Sequence, residues 1–271
     1  MIPASFDYRR AGSLAEAIDL LGSDPDAKLL AGGHSLIPML RLRFARPGLL
    51  VDVDRLDDLR YVRRDGDRIA IGALTRHAQL AGDPLVRESC ALLADAAGHI
   101  GDPQVRHRGT IGGSVAHADP VGDLGAVLLT LDADAIAVGP DGERTIPLRE
   151  FFVGRYQSAL GPQDVLTELR VPVVDDGSYL KFTRRAQDWA TVGVAAARVD
   201  GRVQVGLAAM GATPLRASAV EDAVAGGAGA ADAAALAVEG TAPSSDSSAS
   251  AEYRSHLARV LVRRALEQLA A

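Results

Sequence analysis

At 271 residues, with 48% apolar and 24% charged content, the chain has material for two packed domains and the composition of an ordinary globular protein. Its net charge of −6, with no long face of concentrated Lys and Arg, argues against a polyanion groove and so against nucleic acid as a partner. No apolar run approaches a membrane span, and the start Met1-Ile2-Pro3-Ala4-Ser5-Phe6-Asp7 lacks the basic stretch and apolar block of a signal peptide, so the cytoplasm is the expected location.

In chain order, Ser13 followed by Glu16 reads as a capping box opening a helix through Ala17, Ile18, Leu20 and Leu21 that stops near Gly22. Residues 28–31 read as a short buried strand, and the double glycine of Ala31-Gly32-Gly33-His34-Ser35 follows. Ser35 is placed to cap a helix whose first turn tolerates Pro38. Residues 49–53 read as a strand, and 61–64 with 68–71 flank Asp65-Gly66 as a hairpin. Helices are expected over 76–81 and 85–98, the latter holding Cys90 as a small core residue. After a second double glycine, Thr110-Ile111-Gly112-Gly113-Ser114, the pattern gives a helix over 122–131, strands over 135–138 and 144–148 around Asp141-Gly142, and a strand over 165–173.

Pro172 and the cluster Asp175-Asp176-Gly177-Ser178 mark a domain boundary. The expected division is 1–176, with lobes of roughly 1–56 and 57–176, followed by 177–271. Past the boundary, segments 179–184, 191–199 and 202–209, the last two joined at Asp200-Gly201, suggest a small antiparallel sheet. The Ala/Gly-rich piece 223–235 and the serine run 244–250, a linker or helix start, carry little information. Leu257, Val260, Leu261 and Leu269 fall on one face of a last helix, with Arg259, Arg263 and Arg264 elsewhere.

The two double-glycine segments hold the strongest functional signal. The first follows a short apolar run and both end in a hydroxyl residue, so each can turn bare backbone N–H groups toward an anion and then start a helix. Alone, either reads equally as an ordinary strand-to-helix turn; paired, they point to a diphosphate gripped from two sides, as in a dinucleotide such as FAD. The single cysteine excludes an internal disulfide, a multi-thiolate zinc site and a four-cysteine cluster, so any iron–sulfur centre must sit on another chain. The separations of His34, His99, His107 and His117 fit no compact metal-ligand motif. Strands and helices mix without regular βαβ repetition, which argues for an α+β fold, and the G-x-G-x-x-G nicotinamide fingerprint is absent.

The words Lys28-Leu29-Leu30-Ala31-Gly32-Gly33-His34-Ser35-Leu36, Ile100-Gly101-Asp102-Pro103-Gln104-Val105-Arg106-His107-Arg108-Gly109-Thr110-Ile111-Gly112-Gly113-Ser114, and Ala118-Asp119-Pro120 with Asp123-Leu124 resemble the FAD-binding medium subunit of the molybdenum hydroxylases. Residues 181–185 and Asp188-Trp189-Ala190 extend the likeness over essentially the whole chain. The resemblance implies a two-lobed FAD-binding domain of the vanillyl-alcohol-oxidase type followed by a small C-terminal α+β domain. It implies noncovalent FAD, with both glycine segments at the diphosphate, and no catalytic acid–base side chain or metal on this chain. By the same resemblance Asp123 contacts a nucleotide hydroxyl or merely starts a helix, and Lys28 is a basic residue near the cofactor or a solvated one. Lys181 is a cofactor-side lysine, Leu166 offers backbone contacts, and Trp189 either covers the isoalloxazine ring or packs in the C-terminal domain.

The resemblance further implies a large subunit carrying the molybdenum cofactor and a small subunit carrying 2Fe-2S clusters, in a dimer of heterotrimers. Electrons would reach the FAD from those clusters and leave to an external acceptor of unspecified identity. The rival expectations are a self-contained flavin-dependent NAD(P)H reductase or oxidase and a scaffold that binds no flavin.

Overall fold

The computed structural model describes residues 2–270. The chain opens with β1 (Asp7–Arg10), α1 (Leu14–Ser23), β2 (Lys28–Leu30), α2 (Leu36–Leu42) and β3 (Leu49–Asp52), and the strands form a parallel sheet in the order β1-β3-β2. Central β3 is buried at all four residues, as a strand covered on both faces should be. Ser13 caps α1 by accepting from the Glu16 N–H at 3.1 Å; the Glu16 carboxylate answers to Gly12 rather than to Ser13, so half of the expected box forms. Contrary to the expected buried strand, β2 leaves Lys28 exposed and Leu29 and Leu30 half-buried, because it is a sheet edge.

A second unit follows: β4 (Val62–Asp65), β5 (Arg68–Gly72), α3 (His77–Gly82), α4 (Pro84–Ser89), α5 (Ala91–Gly98), α6 (Pro103–Arg108), α7 (Ile111–His117), α8 (Asp123–Thr130), β6 (Asp134–Gly139), β7 (Gly142–Pro147), α9 (Leu148–Phe151), β8 (Phe152–Gly154), β9 (Gln157–Ser158) and β10 (Val165–Pro172). Five strands make an antiparallel sheet in the order β4-β5-β10-β6-β7. The helix expected over 85–98 is two helices, broken at Cys90, whose φ of −161° and ψ of 76° lie outside the helical region. Cys90 is buried, as expected of a small core residue, but at the break. Asp83 restarts the chain as N-cap of α4 with Pro84 at the first helical position, where its missing N–H costs nothing.

The last unit is an antiparallel sheet of β11 (Gly177–Phe182), β12 (Val192–Val199), β13 (Arg202–Ala208) and β14 (Leu215–Arg216), with α10 (Ser218–Ala225), α11 (Ala230–Ala235) and α12 (Ala251–Leu269). Alternation along β12 explains its apolar run: Val192, Val194 and Ala196 face the core under α12, while Ala195, Ala197 and Val199 join the core of the preceding unit. Helix α8, buried along its whole length, is packed against β12 and β13 and so joins the two units. In α12 the buried stripe includes Leu257, Leu261 and Leu269, but Val260 is half-exposed and Val262 buried in its place. The serine run ends in the N-cap Ser250 and is held by buried Arg254, which donates to the Ser244 carbonyl at 3.0 Å and to Asp246 at 2.7 Å. The architecture is the expected α+β fold.

Candidate cofactor site

The turn between β2 and α2 is bent by Gly33, at a φ of 78°. A Cβ there would lie 2.7 Å from the Ile37 Cδ1, and one on Gly32 would lie 2.3 Å from the Arg108 carbonyl oxygen, so only glycine lets this turn sit against the segment before α7. No backbone N–H of residues 32–36 donates to an acceptor among the described residues. Ser35 holds the N-cap position of α2 but makes no capping bond, contrary to expectation, because its backbone is already helical (φ −93°, ψ −48°). Its hydroxyl, like the N–H groups, is left for something else.

The second segment is built differently. Thr110 is the N-cap of α7 and accepts from the Gly113 N–H at 3.2 Å, while the Ser114 N–H donates to the Thr110 carbonyl at 3.1 Å. The Ile111 and Gly112 N–H groups donate to the Thr75 and Ala73 carbonyls at 3.0 and 2.9 Å. The expectation of a second set of bare N–H groups therefore fails: this double glycine lies in the first turn of a helix and its donors are engaged. Gly112 is there for proximity, since a Cβ would lie 2.5 Å from the Ala73 Cβ and 2.8 Å from its oxygen.

Both segments border one cleft of about 570 Å³, within the range of ligand sites. Of the residues singled out from sequence, Lys28, Leu29, Ala31, Gly32, Gly33, His34, Ser35 and Leu36 line it on one side, and Ile100, Thr110, Gly112, Gly113 and Ser114 on the other. Asp123, Leu166, Lys181 and Trp189 complete the wall. Leu30 and Ile111 do not line it; Ile111 is fully buried among core residues. Trp189 borders the cleft with 59% of its surface exposed, so it is not packed in the C-terminal core.

Asp123 and Lys181 meet as a buried ion pair, 3.0 Å apart with side chains 3% and 4% exposed. Tyr179 donates to the same carboxylate at 2.5 Å, and the Lys181 ammonium also donates to the His99 carbonyl at 3.1 Å. Burial pushes the Asp123 carboxyl above its usual range, opposed by the Lys181 charge and the Tyr179 hydroxyl. Burial likewise drives the Tyr179 phenol well above its usual value.

Sequence reasoning missed His77 and Tyr179. His77 is 2% exposed, shares a 3.0 Å hydrogen bond between its Nε2 and the Ser114 Oγ, and has an Nδ1 with no partner among the described residues. Burial pushes its pKa down to about 4. Neither residue carries a local signal: each acquires its partner from a distant element. Beside the glycine segments, Arg60 and Arg108 converge on Asp54 at 3.4 and 3.2 Å, and Arg76 joins the same carboxylate. Among the described residues no group of three or more His, Cys, Asp or Glu is placed to hold a metal ion, and no helix is long and apolar enough to cross a membrane.

Comparison with known proteins places this geometry. The family described as "FAD binding domain in molybdopterin dehydrogenase" matches residues 4–174, and "CO dehydrogenase flavoprotein C-terminal domain" matches residues 177–269. The chain is 41% identical over 282 residues to the carbon monoxide dehydrogenase medium chain of Hydrogenophaga pseudoflava, covering 98% of this chain and 97% of that one. It is also 41% identical over 281 residues to the 6-hydroxypseudooxynicotine dehydrogenase complex subunit alpha of Paenarthrobacter nicotinovorans, covering 98% and 95%. A solved structure of the Hydrogenophaga pseudoflava carbon monoxide dehydrogenase superposes with a TM-score of 0.96 at 41% identity, over 100% of this chain and 99% of that one. The chain therefore belongs to the family of FAD-binding medium subunits of the molybdenum hydroxylases.

Proposed function

We propose that this chain binds FAD noncovalently in the cleft and serves as the electron-transfer subunit of a molybdenum hydroxylase complex. The observation that carries the reading is the row of unpartnered backbone N–H groups over residues 32–36, on the cleft wall and next to the engaged helix start at Thr110. A row of bare donors in a glycine turn is the chemistry a diphosphate requires. Residues 32–36 hold that bridge, and the Gly112-Gly113 turn forms the wall against which it lies. The Leu166, Lys181 and Trp189 end takes the isoalloxazine ring. When bound, FAD supplies a redox centre able to accept electrons from iron–sulfur clusters and release them to an external acceptor. The protein's part is to grip, orient and electrostatically tune it.

In this reading a small subunit carries the 2Fe-2S clusters and a large subunit the molybdenum cofactor, assembled as a cytoplasmic dimer of heterotrimers. The division at residue 176, with lobes of 1–56 and 57–176 enclosing the cleft, belongs to the same proposal. The rival single-chain reductase gains no support from the relatives named above, which are chains or subunits of larger enzymes. Co-expression with the neighbouring subunits, followed by flavin and metal analysis, tests the reading. The expected result is one FAD per chain, with molybdenum and iron on the other subunits. A medium subunit that stays colourless after refolding with FAD overturns it.

A further inference from the structure

We propose that Tyr179, which does not border the cleft, is a positioning residue for the flavin: by donating to Asp123 it keeps that carboxylate charged and so neutralises the Lys181 ammonium that borders the cleft. The inference rests on the reading above that the isoalloxazine ring lies at the Lys181 end.

Three observations carry it. The first is chemical. Asp123 and Lys181 are nearly sealed from solvent, and a carboxylate stays ionised in such a place only if its oxygens are occupied by donors. Lys181 donates to it at 3.1 Å and Tyr179 at 2.5 Å. The second is spatial. In the pairing of β11 with β12, Lys181 lies opposite Gly193, and a Cβ on Gly193 would lie 2.7 Å from the Tyr179 hydroxyl oxygen. The missing side chain makes room for the phenol to reach Asp123. The third is electrostatic. Among the described residues, those that line the cleft include no arginine, and Lys28 and Lys181 are the only lysines. Lys28 is exposed at the β2 edge, whereas Lys181 is buried, where its charge is poorly screened.

The charged groups facing the pair are few. Tyr179 and Lys181 come from β11, His99 follows α5, with its ring 6.2 Å from that of Tyr179, and Asp95 lies on α5. If Tyr179 withdraws, Asp123 loses a donor, its affinity for a proton rises, and the pair shifts from neutral toward positive. A positive charge beside the ring favours its reduced, more negative form.

The test measures the two-electron midpoint potential of the full chain loaded with FAD, with FAD affinity measured alongside. Tyr179→Phe removes one oxygen atom and is expected to raise the reduced-to-oxidised ratio about tenfold at a fixed reference potential, which is about 30 mV for a two-electron couple. Asp123→Asn, which leaves Lys181 uncompensated by another route, is expected to move it the same way. In the Asp123→Asn background Tyr179→Phe should add nothing, because the phenol acts through the carboxylate. Gly193→Ala, which keeps the phenol but displaces it, provides an independent variant and should shift the potential in the same direction if Tyr179→Phe folds poorly. Full additivity in the double variant, or an unchanged potential in a folded, FAD-loaded Tyr179→Phe or Gly193→Ala chain, overturns the inference. Failure of the unaltered chain to bind FAD instead overturns the reading on which it rests.

Discussion

The two double-glycine segments are written almost alike and perform different physical work. In the first, Gly33 turns the backbone into the left-handed region and the N–H groups of residues 32–36 are left without acceptors among the described residues. In the second, the glycines begin a helix, every N–H from Ile111 to Ser114 has an acceptor, and the absent Cβ of Gly112 lets α7 close on Ala73. One is a donor array and the other a spacer. They meet, since Gly32 packs on Arg108 and Gly109, immediately before the second segment. On the proposed reading, the grip on the diphosphate takes its hydrogen bonds from the first and its shape from the second.

The largest expected effect tests the donor array. Gly33→Val places a branched side chain at a φ of 78° with its Cβ 2.7 Å from Ile37, so the turn must open. With the left-handed strain and the loss of several charge-assisted hydrogen bonds, FAD affinity should fall at least about 100-fold. Flavin fluorescence titration reads this directly, and retained affinity would mean that the unpartnered N–H groups are not the phosphate grip.

The next effect is a pH dependence carried by His77, at the start of α3 behind Ser114. Its folded-state pKa is depressed to about 4, below an unfolded value near 6.5. Above pH 6.5 the site is neutral in both states and its contribution is fully present. Between 6.5 and 4 the unfolded chain binds the proton first, so stability falls as pH falls through that window, by about 3 kcal/mol over its whole width. Urea unfolding at pH 7 and pH 4.5 should show this loss in the unaltered chain and a loss smaller by about 2 kcal/mol in His77→Asn. Equal losses would assign the titration to another group.

A smaller effect separates spacer from donor. Gly112→Ala forces a methyl group against Ala73 and should cost about 2 kcal/mol, lowering Tm by roughly 4–8 °C, while the folded fraction keeps FAD affinity within about tenfold. If affinity instead collapsed with Tm unchanged, the second segment would be a donor as well, and the contrast would dissolve.

How much of this was legible beforehand depends on the range of the signal. Element types followed local patterns well: Ser13, Asp65-Gly66 and Asp200-Gly201 sit where the structure caps or turns. The break at Cys90 was not legible, because the apolar spacing continues through it and a cap from Asp83 with Pro84 admits a short helix as readily as a long one. Most of the cleft-lining residues singled out came from contiguous words, which sequence displays, although Leu30 and Ile111 in those words do not line the cleft and Leu166 lies outside them. Tyr179, His77 and the pairing of Asp123 with Lys181 join residues far apart in the chain, and such pairing has no local periodicity. The engaged N–H groups of the second segment were misread for the same reason: their acceptors Ala73 and Thr75 belong to the turn after β5.

The smallest effect concerns Thr110, where cap and cleft coincide. Its hydroxyl accepts from Gly113 and holds the first turn of α7 closed, so Thr110→Val frees that N–H at the cleft wall while removing the cap. A lost threonine cap costs about 1 kcal/mol, or roughly 2–4 °C in Tm for a chain of this size. Thr110→Ser, which keeps the acceptor oxygen, should restore most of it. Because the segment contributes shape, FAD affinity in Thr110→Val should fall by less than about tenfold, far short of the Gly33→Val loss. A gain in affinity on freeing the Gly113 N–H would instead mean that a donor had been withheld from the diphosphate, and that the cap trades binding for a closed helix start.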